Sequence, residues 1–394
     1  MEGFDALLTP NLNFLISSRD VKVVQVSCGG MHMIALTKNN EILTWGVNDY
    51  GALGRNTHFE LQEDDDYNPL ESTPGIVKTT HLGTDLTWSN VAACDNASFA
   101  LTNDGRVYGW GTFRSKTGIL GFNGNSLIQR TPTQLPDLKD IRQIATGDNH
   151  VLALDGKGKV FSWGDGEKSQ LARRCINVEI GLRPTSIGKL PMRGAKISKV
   201  SCGAWHNFAI DQHGRVYGWG NNVYSQLGIP EHAGENGASE LKPRLIESLR
   251  GHKIVNIAGG SHHSVACTDK GELLTWGRID GFQVGFKHDT FTRHNAIFDY
   301  HDKPRILGVP RVQPNVPPIK SVSAGADHSL ALTPDGKAYS WGYNDSGRTG
   351  QGHQDIVEVP TLIDCRAVRD RKLNFIGAGG DFSVVTSVDP WYFD

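Results

Sequence analysis

Five of the fifteen histidines close a four-residue G-x-x-H motif, at Gly29 to His32, Gly147 to His150, Gly203 to His206, Gly260 to His263 and Gly325 to His328. Imidazole is the side chain best suited to metal ligation and to acid-base work near neutral pH. The spacing argues against both uses. A metal site draws on a local ligand pair such as His-Glu-x-x-His, and the sequence contains none. A histidine that recurs once per motif, at the same place each time, reads instead as a structural tie between a turn and the neighbouring strand through a ring nitrogen. The doublet His262-His263 carries one imidazole more than such a tie needs, which leaves His262 for contact with a partner. The glycine runs Gly377 to Gly380 and Gly164 to Ser169 do not match the phosphate loop G-x-x-x-x-G-K-[ST] and read as turns. The six cysteines are scattered, with no C-x-x-C pair, and read as reduced thiols. No cofactor and no metal are expected, and no nucleophile, base and orienting group recur together as an enzyme of covalent chemistry would require.

The elements that carry these motifs repeat. A Trp-Gly pair ends a short β-prone run at Trp45, Trp110, Trp163, Trp219, Trp276 and Trp341, which accounts for six of the nine tryptophans. One tryptophan per repeat at the same strand position reads as packing between neighbouring units. Before each pair stand the G-x-x-H turn, an apolar run and a tight turn rich in Gly and Asn, such as Asn103-Asp104-Gly105 and Pro334-Asp335-Gly336. The second repeat departs from the motif, with Cys94 and Ala97 at the Gly and His places. After each pair comes a loop that often ends in Leu-Gly, at Leu53-Gly54, Leu120-Gly121 and Leu227-Gly228. A proline-bearing segment follows, at Pro74, Pro132, Pro184, Pro243, Pro304 and Pro360, and proline belongs on an edge strand because it cannot donate to a ladder.

Each unit therefore reads as four antiparallel strands with a proline-bearing outer edge, a propeller blade. The repeats run over about 23–77, 90–135, 141–187, 197–246, 253–307 and 319–363. The segment 376–386 supplies two further strands, with Gly379 and Phe382 at the motif places, and 9–12 resembles an outer strand. The expectation is one all-β domain over residues 1–394: a seven-bladed propeller whose last blade is shared between the termini and lacks one strand on the N-terminal side.

A formal net charge of −2 gives the chain no basic footprint for a phosphate backbone, so direct nucleic-acid binding is expected to be weak, or to need a basic tail outside this sequence. No leader pattern opens the chain and no run of about 18 apolar residues occurs, so neither secretion nor a membrane partner is expected.

These repeats are similar to those of the chromosome-condensation-regulator (RCC1-type) propeller family, over about residues 9–386. The runs Gly29 to His32, Gly46 to Arg55, and Trp110 to Arg114 with Gly118 to Gly121 resemble in particular the fungal members that exchange guanine nucleotide on the nuclear GTPase Ran. They lie partly in loops, where the repeat does not dictate the residue. The acidic insertion Glu63 to Asp66 has the same resemblance; it reads as a solvated loop, with contact to a basic partner such as a histone as the alternative.

The resemblance implies a monomeric, nuclear, chromatin-associated exchange factor. It would bind a Ran-type GTPase on one face and histones or nucleosomes on the other. It implies a wedge at Arg114, Ser115, Lys116, Thr117, Gly118, Ile119 and Leu120, with further GTPase contacts from the turns at Asp95, Asp148, Asn149, His150, His262, His263, Asp327 and His328. Family members commonly have aspartate just before the third-repeat histidine, where this chain has Asn149 after Asp148. The same propeller also serves as an adaptor, so a scaffold without exchange activity is the rival reading.

Overall fold

The computed structural model describes residues 8–10, 21–60, 68–83, 85–188, 190 and 194–387. The acidic insertion Glu63 to Asp66, together with Asn11 and Leu12 of the expected outer strand, lies outside them. The chain forms two compact units, residues 13–189 and residues 190–394 with the N-terminal segment 1–12.

The first unit contains three four-stranded antiparallel sheets. They are Val23–Cys28, His32–Thr37, Ile42–Gly46 and Gly75–Ile76; Trp88–Ala93, Ala97–Thr102, Val107–Gly111 and Gln129–Gln134; and Ile141–Thr146, His150–Asp155, Val160–Gly164 and Thr185–Ser186. A separate hairpin, Phe113–Ser115 with Gly118–Gly121, grows out of the second sheet. The second unit holds Ile197–Cys202, His206–Asp211, Val216–Asn221 and Ser239–Leu245; then Ile254–Gly259, His263–Thr268, Leu273–Arg278 and Pro304–Val312 with the added strand Ile297–Phe298; then Ser321–Ala324, His328–Leu332, Ala338–Gly342 and Val357–Leu362. Leu373–Ala378 and Ser383–Ser387 form a two-stranded sheet.

Among the described residues six blades are built, not the expected seven. Among the described residues no third strand with a Trp-Gly pair joins Ser383–Ser387, and Thr9 and Pro10 are not in a strand.

The register explains the motifs. In all six sheets the His place pairs with the glycine of Trp-Gly, as in His32↔Gly46, Ala97↔Gly111 and His263↔Gly277. That glycine has φ near +110°, as at Gly277, and a Cβ there would stand 2.6 Å from His263 Cα. Only glycine fits. The outer strands lose register across their prolines, between the partners of Gln129 and Thr133, of Glu240 and Arg244, of Leu307 and Arg311, and of Val357 and Thr361. Pro132, Pro243, Pro310 and Pro360 fall inside these intervals, where the missing N–H interrupts the ladder.

A second periodic contact joins neighbouring sheets at four places. His32 Nε2 lies 2.8 Å from Ser98 Oγ, His206 Nε2 2.9 Å from Ser264 Oγ, His263 Nε2 2.8 Å from Ser329 Oγ, and His328 Nε2 2.9 Å from Ser383 Oγ. Each serine hydroxyl in turn donates to a loop carbonyl of the preceding sheet, those of Ala52, Gln226, Gln283 and Arg348. The indoles of Trp110, Trp276 and Trp341 donate at 2.8 Å to the first three of these carbonyls. Because the serine proton goes to the carbonyl, the imidazole must donate through Nε2, which fixes it as the neutral Nε2–H tautomer. Burial agrees, holding His32 and His263 down to about 4 and His328 to about 3. The tryptophans pack as expected: Trp276 stands edge-on to Phe208 of the preceding sheet, ring centroids 6.2 Å apart, and five of the six are fully buried.

Candidate functional site

In each unit the middle residues of the G-x-x-H turns and the loops after Trp-Gly come together. In the first unit the turns of the second and third sheets meet where the Asp95 N–H donates to the Asp148 carbonyl at 2.8 Å. The Asp95 carboxylate packs against the first turn, since a Cβ on Gly30 would lie 2.6 Å from its Oδ1. Asn149 Oδ1 accepts the Arg114 N–H at 2.8 Å and so fastens the foot of the hairpin to the third turn. The Arg114 guanidinium lies 4.7 Å above the ring of Tyr50, close enough for a cation-π contact.

Burial pushes the Asp95 carboxyl up to about 6 while the Arg114 charge pulls it back. Asp148 is raised well above the usual carboxylate range, by burial first and by the charge of Asp95 second. Two neighbouring carboxyls, both raised by burial, with the Arg114 guanidinium acting on Asp95, present a charge that a partner can change.

The hairpin pairs Arg114 with Ile119 and Ser115 with Gly118, around a turn at Lys116 and Thr117. Ser115 Oγ accepts the Thr117 N–H at 3.2 Å and shares a hydrogen with Thr117 Oγ1 at 2.9 Å, which closes the tip. Gly118 has φ +126° with nothing within 4 Å of where a Cβ would be. Lys116, Thr117 and Ile119 are exposed, while Arg114, Ser115, Gly118 and Leu120 are half-buried.

In the second unit the His262 ring lies 5.3 Å from Trp205 and 4.7 Å from Tyr224. Arg278 and Arg305 sit over the same tyrosine ring, at 5.5 and 5.3 Å, and Arg305 Nη2 donates to Tyr224 Oη at 3.1 Å. Arg278 is forked onto Asp280 at 2.5 and 2.8 Å. Burial, then the charge of Arg278, lowers the His262 imidazole. Asp327 Oδ1 accepts from Gln283 Nε2 at 2.9 Å. Further along, Arg348 is held between Asp345 at 2.6 Å and Asp381 at 2.8 Å.

The sequence-based assignment needs two corrections. His150, His263 and His328 have no exposed surface and cannot touch a partner directly; they hold the turns whose middle residues are accessible. Leu120-Gly121 is not the equivalent of Leu227-Gly228. Leu227 fills the space over Gly218, 3.2 Å from where its Cβ would be, and the matching space over Gly109 is filled by Phe122 at 2.9 Å. Leu120 belongs to the hairpin. Tyr50, Trp205, Tyr224, Arg278 and Arg305 were missed, although a tyrosine five residues after the tryptophan recurs in the first and fourth repeats and was a usable signal. Aromatic rings and guanidinium groups at short range are enriched in protein-binding surfaces.

Tandem four-stranded sheets with this register, tied by His, Ser and Trp, define an all-β propeller of the RCC1-like class. The RCC1-like domain family matches residues 5–385, and the chain belongs to that family. Among its relatives, protein pim1 of Schizosaccharomyces pombe is 37% identical over 393 residues, covering 98% of this chain and 71% of that protein. The guanine nucleotide exchange factor SRM1 of Saccharomyces cerevisiae is 36% identical over 395 residues, covering 95% and 81%. The crystal structure of Prp20p from Saccharomyces cerevisiae, described together with that protein's binding to Gsp1p and histones, is similar with a TM-score of 0.88 at 37% identity, over 96% of this chain and 85% of that one.

Proposed function

We propose that this chain is a guanine-nucleotide exchange factor for a Ran-type small GTPase, acting in the nucleus on chromatin, with histones as its second partner. The observation that carries the reading is the hairpin Phe113–Gly121, closed at its tip and fastened at its foot beside Asp95 and Asp148, in a chain 36% identical to an exchange factor over nearly its whole length. The working form is a monomer in which residues 1–394 act as one propeller domain. It makes and breaks no covalent bond and needs no cofactor.

The mechanism is linkage. A protein that binds the nucleotide-free GTPase more tightly than the GDP-bound form must weaken GDP by the same factor. The turn residues Asp95, Asp148, Asn149, His262 and Asp327 dock the GTPase. The hairpin acts as the wedge: Ile119 offers an apolar edge, and Arg114 and Lys116 offer cations to carboxylates or phosphate oxygens.

Replacing residues 115–119 by a Gly-Ser linker tests this. The expected result is an unchanged melting curve with release of fluorescent GDP slowed by more than about tenfold, equivalent to about 1.4 kcal/mol of lost stabilisation of the nucleotide-free state. Full exchange by the folded variant would remove the hairpin from the mechanism. No acceleration by the unmodified chain would leave the scaffold reading.

A further inference from the structure

The histidine-serine-tryptophan tie is absent between the second and third sheets. Ala97 stands where a histidine would donate, and Val151 stands where the next sheet elsewhere offers a serine. Trp163 Nε1 is buried with no partner among the described residues, although the indoles of Trp110, Trp276 and Trp341 all have one. The break falls at the repeat that carries the hairpin.

Here the Phe99–Trp163 contact, which has a counterpart in Phe208–Trp276 where the tie is kept, is extended by two further rings. Phe113 and Phe122, at the two feet of the hairpin, lie nearly parallel, 4° apart with centroids at 6.3 Å. Phe99 of the second sheet stacks on them at 6.1 and 6.2 Å, and Trp163 of the third sheet meets Phe99 edge-on at 5.7 Å. All four rings are 0 or 1% exposed. Gly109 makes the room, since a Cβ there would stand 2.6 Å from Phe99 Cε1 and 2.9 Å from Phe122 Cζ.

We propose that Phe99, Phe113, Phe122 and Trp163 form a clamp that grips both feet of the hairpin and sets its angle, making them positioning residues for nucleotide exchange. The physical reason for the exchange of one tie for the other is geometric. The polar node spends a loop carbonyl of the preceding sheet, whereas stacked rings grip the two strands of a hairpin without using any of its backbone groups. A hairpin held by four buried rings resists deflection, and a wedge that yields cannot transmit strain to the nucleotide.

The proposal rests on the exchange reading, and its test separates the two. In the full-length chain, Phe122→Ala empties the place between the strands. Hydrogen exchange of the amides in residues 113–121 should speed up by about tenfold or more while the other sheets keep their protection. The maximal rate of GDP release from a Ran-type GTPase should fall by about tenfold, with the half-saturating GTPase concentration within about threefold of the original. Should that variant fail to fold, Phe122→Leu carries the test, because leucine fills the matching place in the fourth repeat; a smaller change in the same direction is expected. Unchanged protection of 113–121 in a folded variant overturns the clamp, and so does a loosened hairpin with full exchange. If the Gly-Ser variant of the hairpin retains full exchange, the wedge reading fails, while the protection data still decide whether the rings hold the hairpin.

Discussion

Acid should destabilise this protein through its inter-sheet histidines, and His263→Gln isolates the effect. Burial holds the His263 imidazole at about 4, whereas in the unfolded chain it titrates near the ordinary histidine value of about 6.5. The unfolded chain therefore takes up the proton first. Stability is full above about pH 6.5 and falls as the pH drops towards 4. At pH 5 the difference amounts to about 2 kcal/mol for this one histidine, a large share of the roughly 5–15 kcal/mol that holds a typical domain together. His32 contributes similarly, and His328, held at about 3, has further to fall. Asp95 works in the opposite direction, because a carboxyl raised to about 6 stabilises the fold when protonated. Comparing wild type with a single variant removes that background. Glutamine keeps an N–H donor towards Ser329 Oγ and does not titrate. Urea unfolding followed by tryptophan fluorescence at pH 7.5 and pH 5 should show the variant losing about 2 kcal/mol less than the wild type on acidification. Identical pH dependence of the two proteins would show that the His263 node is not held neutral against protonation.

Asp95→Asn should act the other way: it should raise the melting temperature at pH 7.5, where the native carboxylate is charged and buried, and raise it by only about a third as much at pH 4.5, where the native carboxyl is protonated while that of the unfolded chain is still mostly ionised; an equal shift at both pH values would rule out the charge as the cause. Gly260→Ala would bring a Cβ to 2.2 Å from His263 Cε1 and 2.5 Å from the Gly325 carbonyl of the next sheet, so the histidine and the neighbouring backbone must both shift. It should cost about 1–3 kcal/mol in thermal or urea unfolding, and a neutral result would show that the two turns are not in contact in solution.

Much of the scaffold was readable because each repeat uses one residue type for one job. The glycine of Trp-Gly must take a positive φ opposite the His place, and Pro132, Pro243 and Pro360 fall where the outer ladder slips, although in the fifth sheet Pro310 and not the expected Pro304 marks the slip. The blade count was not readable in the same way. Two strands with the right signature, Leu373–Ala378 and Ser383–Ser387, suggest a blade, but a sheet is defined by pairing, and pairing needs the third strand to be present. The segment expected as a loop over 114–120 is a hairpin, and the Leu-Gly pattern misplaced its second foot, because Leu120 and Phe122 are two residues apart in a run where either could face Gly109. Volume settles it: the ring reaches the gap and the leucine stays on the hairpin. The histidines of the turns show a further limit. His262 and His263 are adjacent in sequence, but strand geometry sends one into the node and the other out to Trp205 and Tyr224.

The distribution of ties among the sheets bears on how such a molecule could exchange nucleotide. A linkage mechanism delivers to the GTPase no more free energy than the exchange factor withholds from deforming itself. Where they occur the nodes meet that demand: a neutral imidazole donates to a hydroxyl, the hydroxyl donates to a carbonyl that in three of the four also accepts an indole, and each node loses a buried hydrogen bond if the two sheets slide. At the second and third sheets four stacked rings add to the inter-sheet bonds from Thr146 Oγ1 to the Ala93 carbonyl and from the Asp95 N–H to the Asp148 carbonyl, bonds in which the carboxylates of Asp95 and Asp148 take no part. The carboxyls and the hairpin thus stand at the one inter-sheet seam of the first unit that lacks the histidine-serine node, so a partner can alter their charge without breaking such a node.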